Sequence, residues 1–122
     1  MAQILFVDDD AITLEILAKA AEVLGHQSIL CNTSEQALIM AAERHPDLIM
    51  LDMMMPDMDG LSILSRLREQ PGTAGIPIVM LSAGVNLNDD ELAQQAGAQG
   101  YLTKPVSLKT LLDTISKFTI AK

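Results

Sequence analysis

Residues 4–13 read "ILFVDDDAIT": four apolar residues run directly into three aspartates and then into a segment with helical spacing. A short apolar run closed off by polar residues is the pattern of a strand covered on both faces. The adjacent carboxylates of Asp8, Asp9 and Asp10 repel one another at its end. A fold that keeps them there must use their proximity.

Working outward, the same alternation of strand and helix recurs four more times. The first apolar run leads into "AITLEILAKAAEVLG", where Ile12, Ile16, Ala20 and Leu24 are expected to form the buried helical face and Gly25 the stop. "SILC" precedes "SEQALIMAAERH", with Ser34 as the expected N-cap. "DLIML" precedes "GLSILSRLREQ", and "IPIVML" precedes "NDDELAQQAG", in which Asn88 and Glu91 fit a capping box. Last come "GYLT" and "SLKTLLDTISKF", whose Leu108, Leu111, Leu112, Ile115 and Phe118 form an apolar stripe. Five such repeats predict an α/β fold, a doubly wound parallel sheet with helices on both faces. "ILFV", "LIML" and "IPIVML" are apolar throughout and belong in its centre, while "HQSILC" and "GYLT" suit its edges. Right-handed crossovers then favour the strand order 2-1-3-4-5.

Bulk composition narrows the function. At 122 residues and 49% hydrophobic content the chain suits one domain, residues 1–122, with a true core and no room for an output domain after the fifth helix. Sixteen acidic residues against eight basic ones give a net charge of -8, which argues against direct binding of nucleic acid. Cys31 stands alone, so neither a disulfide nor a cysteine metal cluster is expected, in keeping with a reducing cytosol. The start "MAQILFVDDD" lacks the pattern of a signal peptide, and no apolar run approaches the ~20 residues that span a bilayer. A soluble, cytoplasmic chain with no membrane partner is expected. Eight methionines and no tryptophan suggest that thioethers fill core space. His26 and His45 each sit singly near a helix end, as caps or solvent-facing groups.

In an open parallel sheet, ligands bind beyond the carboxyl ends of the strands where the winding reverses, here between the first and third strands. Asp8 and Asp9 end the first strand, Asp52 the third, Ser82 the fourth, and Lys104 with Pro105 the fifth. Gathered carboxylates favour a hard divalent cation such as Mg²⁺. A hydroxyl and an ammonium facing the same place suit the oxygens of a phosphoryl group, so the chemistry points to phosphoryl transfer. Asp10 reads as the N-cap of the first helix and Asp59 as that of the third; Pro56 stiffens the intervening turn, and Gly60 allows a close backbone approach. Met53, Met54, Met55 and Met58, beside hard oxygen donors, read as packing and not as soft-metal ligands.

With "VDDD", "LDMMMPDMDG", "LSA" and "GYLTKP" in this order on the appropriate strands, the chain resembles the receiver domain of two-component response regulators, of the single-domain, CheY-like kind, over essentially its whole length. The resemblance implies a flavodoxin-like (βα)5 sandwich acting as a phosphorylation-dependent signalling switch in a phosphorelay, and not an enzyme in the ordinary sense. It implies Asp52 as phosphoacceptor, and Asp8, Asp9, Asp52 and the backbone carbonyl of Met54 as ligands of Mg²⁺ or Mn²⁺. Ser82 and Lys104 would face the phosphoryl oxygens, Ser82 and Tyr101 would form the switch pair, and the Lys104–Pro105 peptide bond would be cis. The implied donor is a sensor histidine kinase or a histidine phosphotransfer protein, and the implied target docks on the face of the fourth helix, fifth strand and fifth helix. Met54 and Gly84 occupy positions that tune the lifetime of the acyl phosphate in that family. "DDDAIT" also resembles the D-x-D start of haloacid-dehalogenase-like phosphatases, which would move the phosphate to Asp8. That reading leaves Asp52 unexplained, puts Ile12 where the motif has Thr or Val, and finds no cap domain.

Overall fold

The computed structural model describes residues 2–83 and 89–119. Ten elements alternate: β1 (Gln3–Val7), α1 (Ala11–Val23), β2 (Gln27–Cys31), α2 (Ser34–Arg44), β3 (Leu48–Asp52), α3 (Gly60–Glu69), β4 (Ile78–Ser82), α4 (Asp89–Gln95), β5 (Gly100–Thr103) and α5 (Leu108–Thr119). The strands form one sheet in the order β2-β1-β3-β4-β5, every neighbouring pair parallel. This is the order expected from the apolar content of the strands together with right-handed crossovers, and the flavodoxin-like arrangement that the resemblance implies.

Period-two alternation divides the core into two layers. Ile4, Phe6, Leu48, Met50, Val79 and Leu81 pack on one face of the sheet against Leu14, Leu17, Ala20 and Ala21 of α1 and Leu111 and Ile115 of α5. Leu5, Val7, Ile49, Leu51, Ile78 and Met80 pack on the other against Ala37 and Ala41 of α2, Ile63, Leu64 and Leu67 of α3, and Ala93 of α4. Every residue of β3 and β4 is buried, whereas β2 and β5 keep partly exposed residues, as edges do. β4 begins at Ile78, later than "IPIVML" suggests. Pro77 has no N–H to give a ladder, and only its carbonyl is used, accepting from Ile49.

The face of α1 differs from expectation. Ile12 and Ile16 are 67% and 53% exposed, and the buried series is Leu14, Leu17, Ala20 and Ala21. Residues four apart advance by ~40° around a helix, so a strict four-residue series from Ile12 to Leu24 drifts by ~120° and cannot stay on one face. Steps of three and four compensate each other and hold Leu14, Leu17 and Ala21 against the sheet. Leu108 is likewise exposed, so the α5 stripe is narrower than expected.

The caps are mostly local. Asp10 accepts from the Ile12 N–H and the Thr13 hydroxyl, and Asp59 accepts from the N–H and hydroxyl of Ser62. Thr33, and not Ser34, is the N-cap of α2; its hydroxyl accepts from the Gln36 N–H, and Ser34 is the first helical residue. Gly25 follows the end of α1 with φ 81°, the left-handed conformation that suits glycine after a helix. His45 is the C-cap of α2, while His26 Nδ1 accepts from the Ala2 N–H. Asn88, half of the expected capping box, and Gly84 lie outside the described residues. At the amino ends of the strands, Arg68 of α3 donates to the carbonyls of Ala74, Ile76 and Gly97 and to the Gln99 side chain, tying the α3–β4 and α4–β5 connections together.

Between β3 and α3 the chain makes a tight loop. The Gly60 N–H donates to the Met53 carbonyl, and Met54 and Asp59 form an isolated antiparallel bridge. A Cβ at Gly60 would lie 2.5 Å from the Asp52 carbonyl oxygen and 2.7 Å from Met53 Cα, both backbone atoms that cannot step aside. Gly60→Ala is therefore expected to lower stability by about 1–3 kcal/mol despite the better helix propensity of alanine. Denaturant unfolding of the two proteins checks this; unchanged stability would show that the loop yields.

Candidate functional site

The site grows out of the strand alternation. Asp8 follows Ile4 and Phe6 in phase, Asp52 follows Leu48 and Met50, and Lys104 follows Leu102. Each continues the α1–α5 face just past its last apolar residue. β1 and β3 are in register, with Phe6 opposite Met50, so Asp8 and Asp52 are brought side by side by the ladder itself. Asp52 pairs with Leu81, which puts Ser82 one residue further along the neighbouring strand. The Ser82 carbonyl accepts from the Lys104 N–H at 2.6 Å, and the Lys104–Pro105 peptide bond is cis.

Asp8 is fully buried and Asp52 is 5% exposed, whereas Asp9 faces solvent. One carboxylate oxygen from each of the three lies within 4.8 Å of the others. Lys104 Nζ donates to Asp8 Oδ2 at 2.7 Å and lies 3.4 Å from Asp52 Oδ1. Asp8 Oδ1 accepts from the Asp10 N–H at 2.9 Å, and Asp52 Oδ1 from the Met54 N–H at 3.2 Å. Beside Lys104, residues including Thr13, Ile16, Leu81, Pro105 and Val106 line a mostly apolar recess of about 370 Å³.

Burial pushes the Asp52 carboxyl above its ordinary pKa, and the negative charge of Asp8 acts in the same direction against the pull of the Met54 N–H and Lys104. For Lys104 burial opposes the charge, but the hydrogen bond to Asp8 and the charges of Asp52 and Asp8 outweigh it, and the ammonium is held above the ordinary lysine value. The cluster is thus short of positive charge even with Lys104 in it. Its donors are all hard oxygens, a set that fits Mg²⁺ or Mn²⁺. The thioethers do not compete: Met53 and Met55 are 6% exposed within the core, and Met54 is exposed.

Of the residues singled out from sequence, Asp8, Asp9, Asp52 and Lys104 come together directly. Ser82 is buried at the end of β4, and Met54 adjoins Asp52 through its backbone. Tyr101 lies on β5 opposite Met80, half-buried against the layer of α2, α3 and α4, which is the other face of the sheet from Asp8 and Asp52. A contact that sequence reading missed joins Asp57 of the β3–α3 loop to the start of α2. Asp57 Oδ2 accepts from the Ser34 N–H at 3.0 Å and from the Ser34 hydroxyl at 2.5 Å. No local pattern links residues this far apart in the chain, although an acid near an uncapped first-turn N–H is the kind of pairing that could be sought.

A five-stranded parallel sheet wound in this order, with acids from two strands and a lysine from a third meeting at its carboxyl edge, defines an α/β receiver architecture. The family described as "Response regulator receiver domain" matches residues 4–116, and the chain belongs to it. The polar-differentiation response regulator DivK of Brucella ovis is 28% identical over 115 residues, 94% of each chain. The chemotaxis response regulator CheY4 of Vibrio cholerae superposes with a TM-score of 0.90 at 28% identity, covering 97% of this chain and 98% of its own. The receiver domain of sensor histidine kinase PA1611 of Pseudomonas aeruginosa has a TM-score of 0.87 at 28% identity over 96% of each chain; its structure holds a magnesium ion coordinated in the active site cleft.

Two substitutions should move stability in opposite directions in metal-free buffer. Ionised Asp52 opposes the fold above its raised pKa, and that penalty fades as the pH falls through the raised value. Asp52→Asn should therefore raise the melting temperature by a few degrees at neutral pH, with the gap from wild type narrowing as the pH approaches ~4. Lys104→Met leaves the buried Asp8 carboxylate without its cation and should cost about 1–3 kcal/mol. The contribution of the ion pair is present at neutral pH and is lost as the pH rises through the raised lysine value, so the two proteins should converge in strong alkali. Melting curves across pH check both, and a destabilised Asp52→Asn would contradict this account of the cluster.

Proposed function

We propose that this receiver domain is a phosphorylation-dependent switch whose phosphoacceptor is Asp52. The observation that carries the reading is the convergence of Asp8, Asp9 and Asp52 with the Lys104 ammonium touching two of the three carboxylates. Asp8, Asp9, Asp52 and the Met54 carbonyl would hold Mg²⁺ or Mn²⁺, which when bound supplies positive charge to the phosphoryl oxygens. The donor is a sensor histidine kinase or a histidine phosphotransfer protein, and the output is a docking event on another protein at the α4, β5 and α5 face.

The chain's own groups divide the work. A carboxylate oxygen of Asp52 attacks phosphorus; the new P–O bond forms as the P–N bond to the donor imidazole breaks, and the imidazole leaves with the electron pair. The Met54 N–H and Lys104 fix the attacking carboxylate in place beforehand, which lowers the cost of orientation. After transfer Lys104 neutralises charge on the phosphoryl oxygens and the Ser82 hydroxyl donates to them. Movement of Ser82 toward the phosphoryl group opens room for the Tyr101 ring from β5, and the two side chains together carry the local charge change to the docking face.

Acetyl phosphate offers the test without a partner. Intact mass should show one phosphoryl adduct that requires Mg²⁺, is absent in Asp52→Asn, and is reduced in Asp9→Asn in a way that more Mg²⁺ partly restores. Labelling of Asp52→Asn at the wild-type level with none in Asp8→Asn would move the nucleophile to β1. No adduct in any protein would leave a binding module in place of a switch.

A further inference from the structure

The start of α2 carries more capping than a surface helix requires. Thr33 already accepts from the Gln36 N–H in the ordinary N-cap manner. The Asp57 carboxylate then reaches it from outside and takes both the N–H and the hydroxyl of Ser34, a residue only 4% exposed. The Ser34 hydroxyl holds the Asp57 carboxyl below its ordinary pKa, so the acceptor is charged at neutral pH.

The loop that carries Asp57 also bears on the site. It starts at Met53, directly after Asp52, and is closed at its base by the Gly60 N–H on the Met53 carbonyl and by the bridge between Met54 and Asp59. Buried Met53 and Met55 set its depth, but thioether side chains re-pack easily and fix lateral position poorly. The charged hydrogen bonds at Asp57 supply the direction that packing leaves loose. Met54 lies within this closed unit, and its N–H reaches Asp52 Oδ1.

We infer that Ser34 and Asp57 form a positioning latch that holds the β3–α3 loop against the start of α2 and thereby sets where the Met54 backbone meets Asp52. This rests on the reading of Asp52 as phosphoacceptor and adds two residues, neither of them in contact with the carboxylate cluster, that tune the site through Met54. With the latch broken, α2 keeps its Thr33 cap, but the loop loses its lateral restraint, and the Met54 carbonyl proposed to face the divalent ion drifts with it.

Four single variants, Asp57→Ala, Ser34→Ala, Asp57→Asn and Thr33→Ala, and the Ser34→Ala/Asp57→Ala double variant test the latch. Asp57→Asn keeps an acceptor oxygen, and Thr33→Ala weakens the same helix end without touching the loop. The Mg²⁺ concentration that gives half-maximal labelling by acetyl phosphate should rise severalfold in Asp57→Ala and Ser34→Ala, by no more in their double variant, by less in Asp57→Asn, which keeps the acceptor but not its charge, and should stay near wild type in Thr33→Ala. In metal-free protein, amide hydrogen exchange should speed up across residues 53–59 in Asp57→Ala and Ser34→Ala but not in Thr33→Ala. A Thr33→Ala effect on labelling equal to that of Asp57→Ala would make the contact a plain helix cap and overturn the latch. Unchanged Mg²⁺ dependence and unchanged exchange in Asp57→Ala would overturn it as well, with the phosphoacceptor reading intact. A wild type that takes no label overturns both.

Discussion

The fold is organised around an electrostatic problem at one edge of its sheet. β1 and β3 lie side by side, and the register that matches their apolar residues also sets two buried carboxylates next to each other with a third close by. The Lys104 ammonium answers part of that repulsion. It comes from beyond β5, across β3 and β4, to reach Asp8 on β1. The contact therefore exists only when strands distant in sequence are all in place. Removing the ammonium would leave a buried carboxylate without its cation, and the surplus of negative charge that remains even with Lys104 in place suits a further cation.

The opposite end of the molecule is built differently. There Arg68 satisfies carbonyls from the α3–β4 and α4–β5 connections, with no excess of like charge. One edge is closed by a cation spread over neutral acceptors, and the other is left short of positive charge. Between them lie two apolar layers that are complete in themselves. The polar edge can thus vary in charge while the core stays packed, a division that suits the proposed switch.

Strand and helix placement was legible in the sequence because apolar runs, caps and turns repeat in the same sense along the chain. The central position of β1, β3 and β4 followed from their unbroken apolar character. The face of α1 was misread: Ile12 and Ile16 offer an apolar series beside Leu14, Leu17 and Ala21, but its uniform step of four drifts around the helix, and only the mixed steps of three and four stay against the sheet. At the site, Asp8, Asp52 and Lys104 could be read from strand ends, since a period of two places the next polar residue predictably. The Asp57–Ser34 contact could not, because it depends on how a loop folds back on a helix that precedes it in the chain. Ser34 looked like the cap of α2, when that role belongs to Thr33, because two adjacent hydroxyl residues both suit the position.

Tyr101 is the single tyrosine of a chain that has no tryptophan. Half-buried on β5 opposite Met80, it is the molecule's sole source of tyrosine emission, and the two phenylalanines absorb and emit too weakly to mask it. The native protein thus comes with a built-in fluorophore at one defined address. Its intensity and quenching report the surroundings of that strand without any label attached.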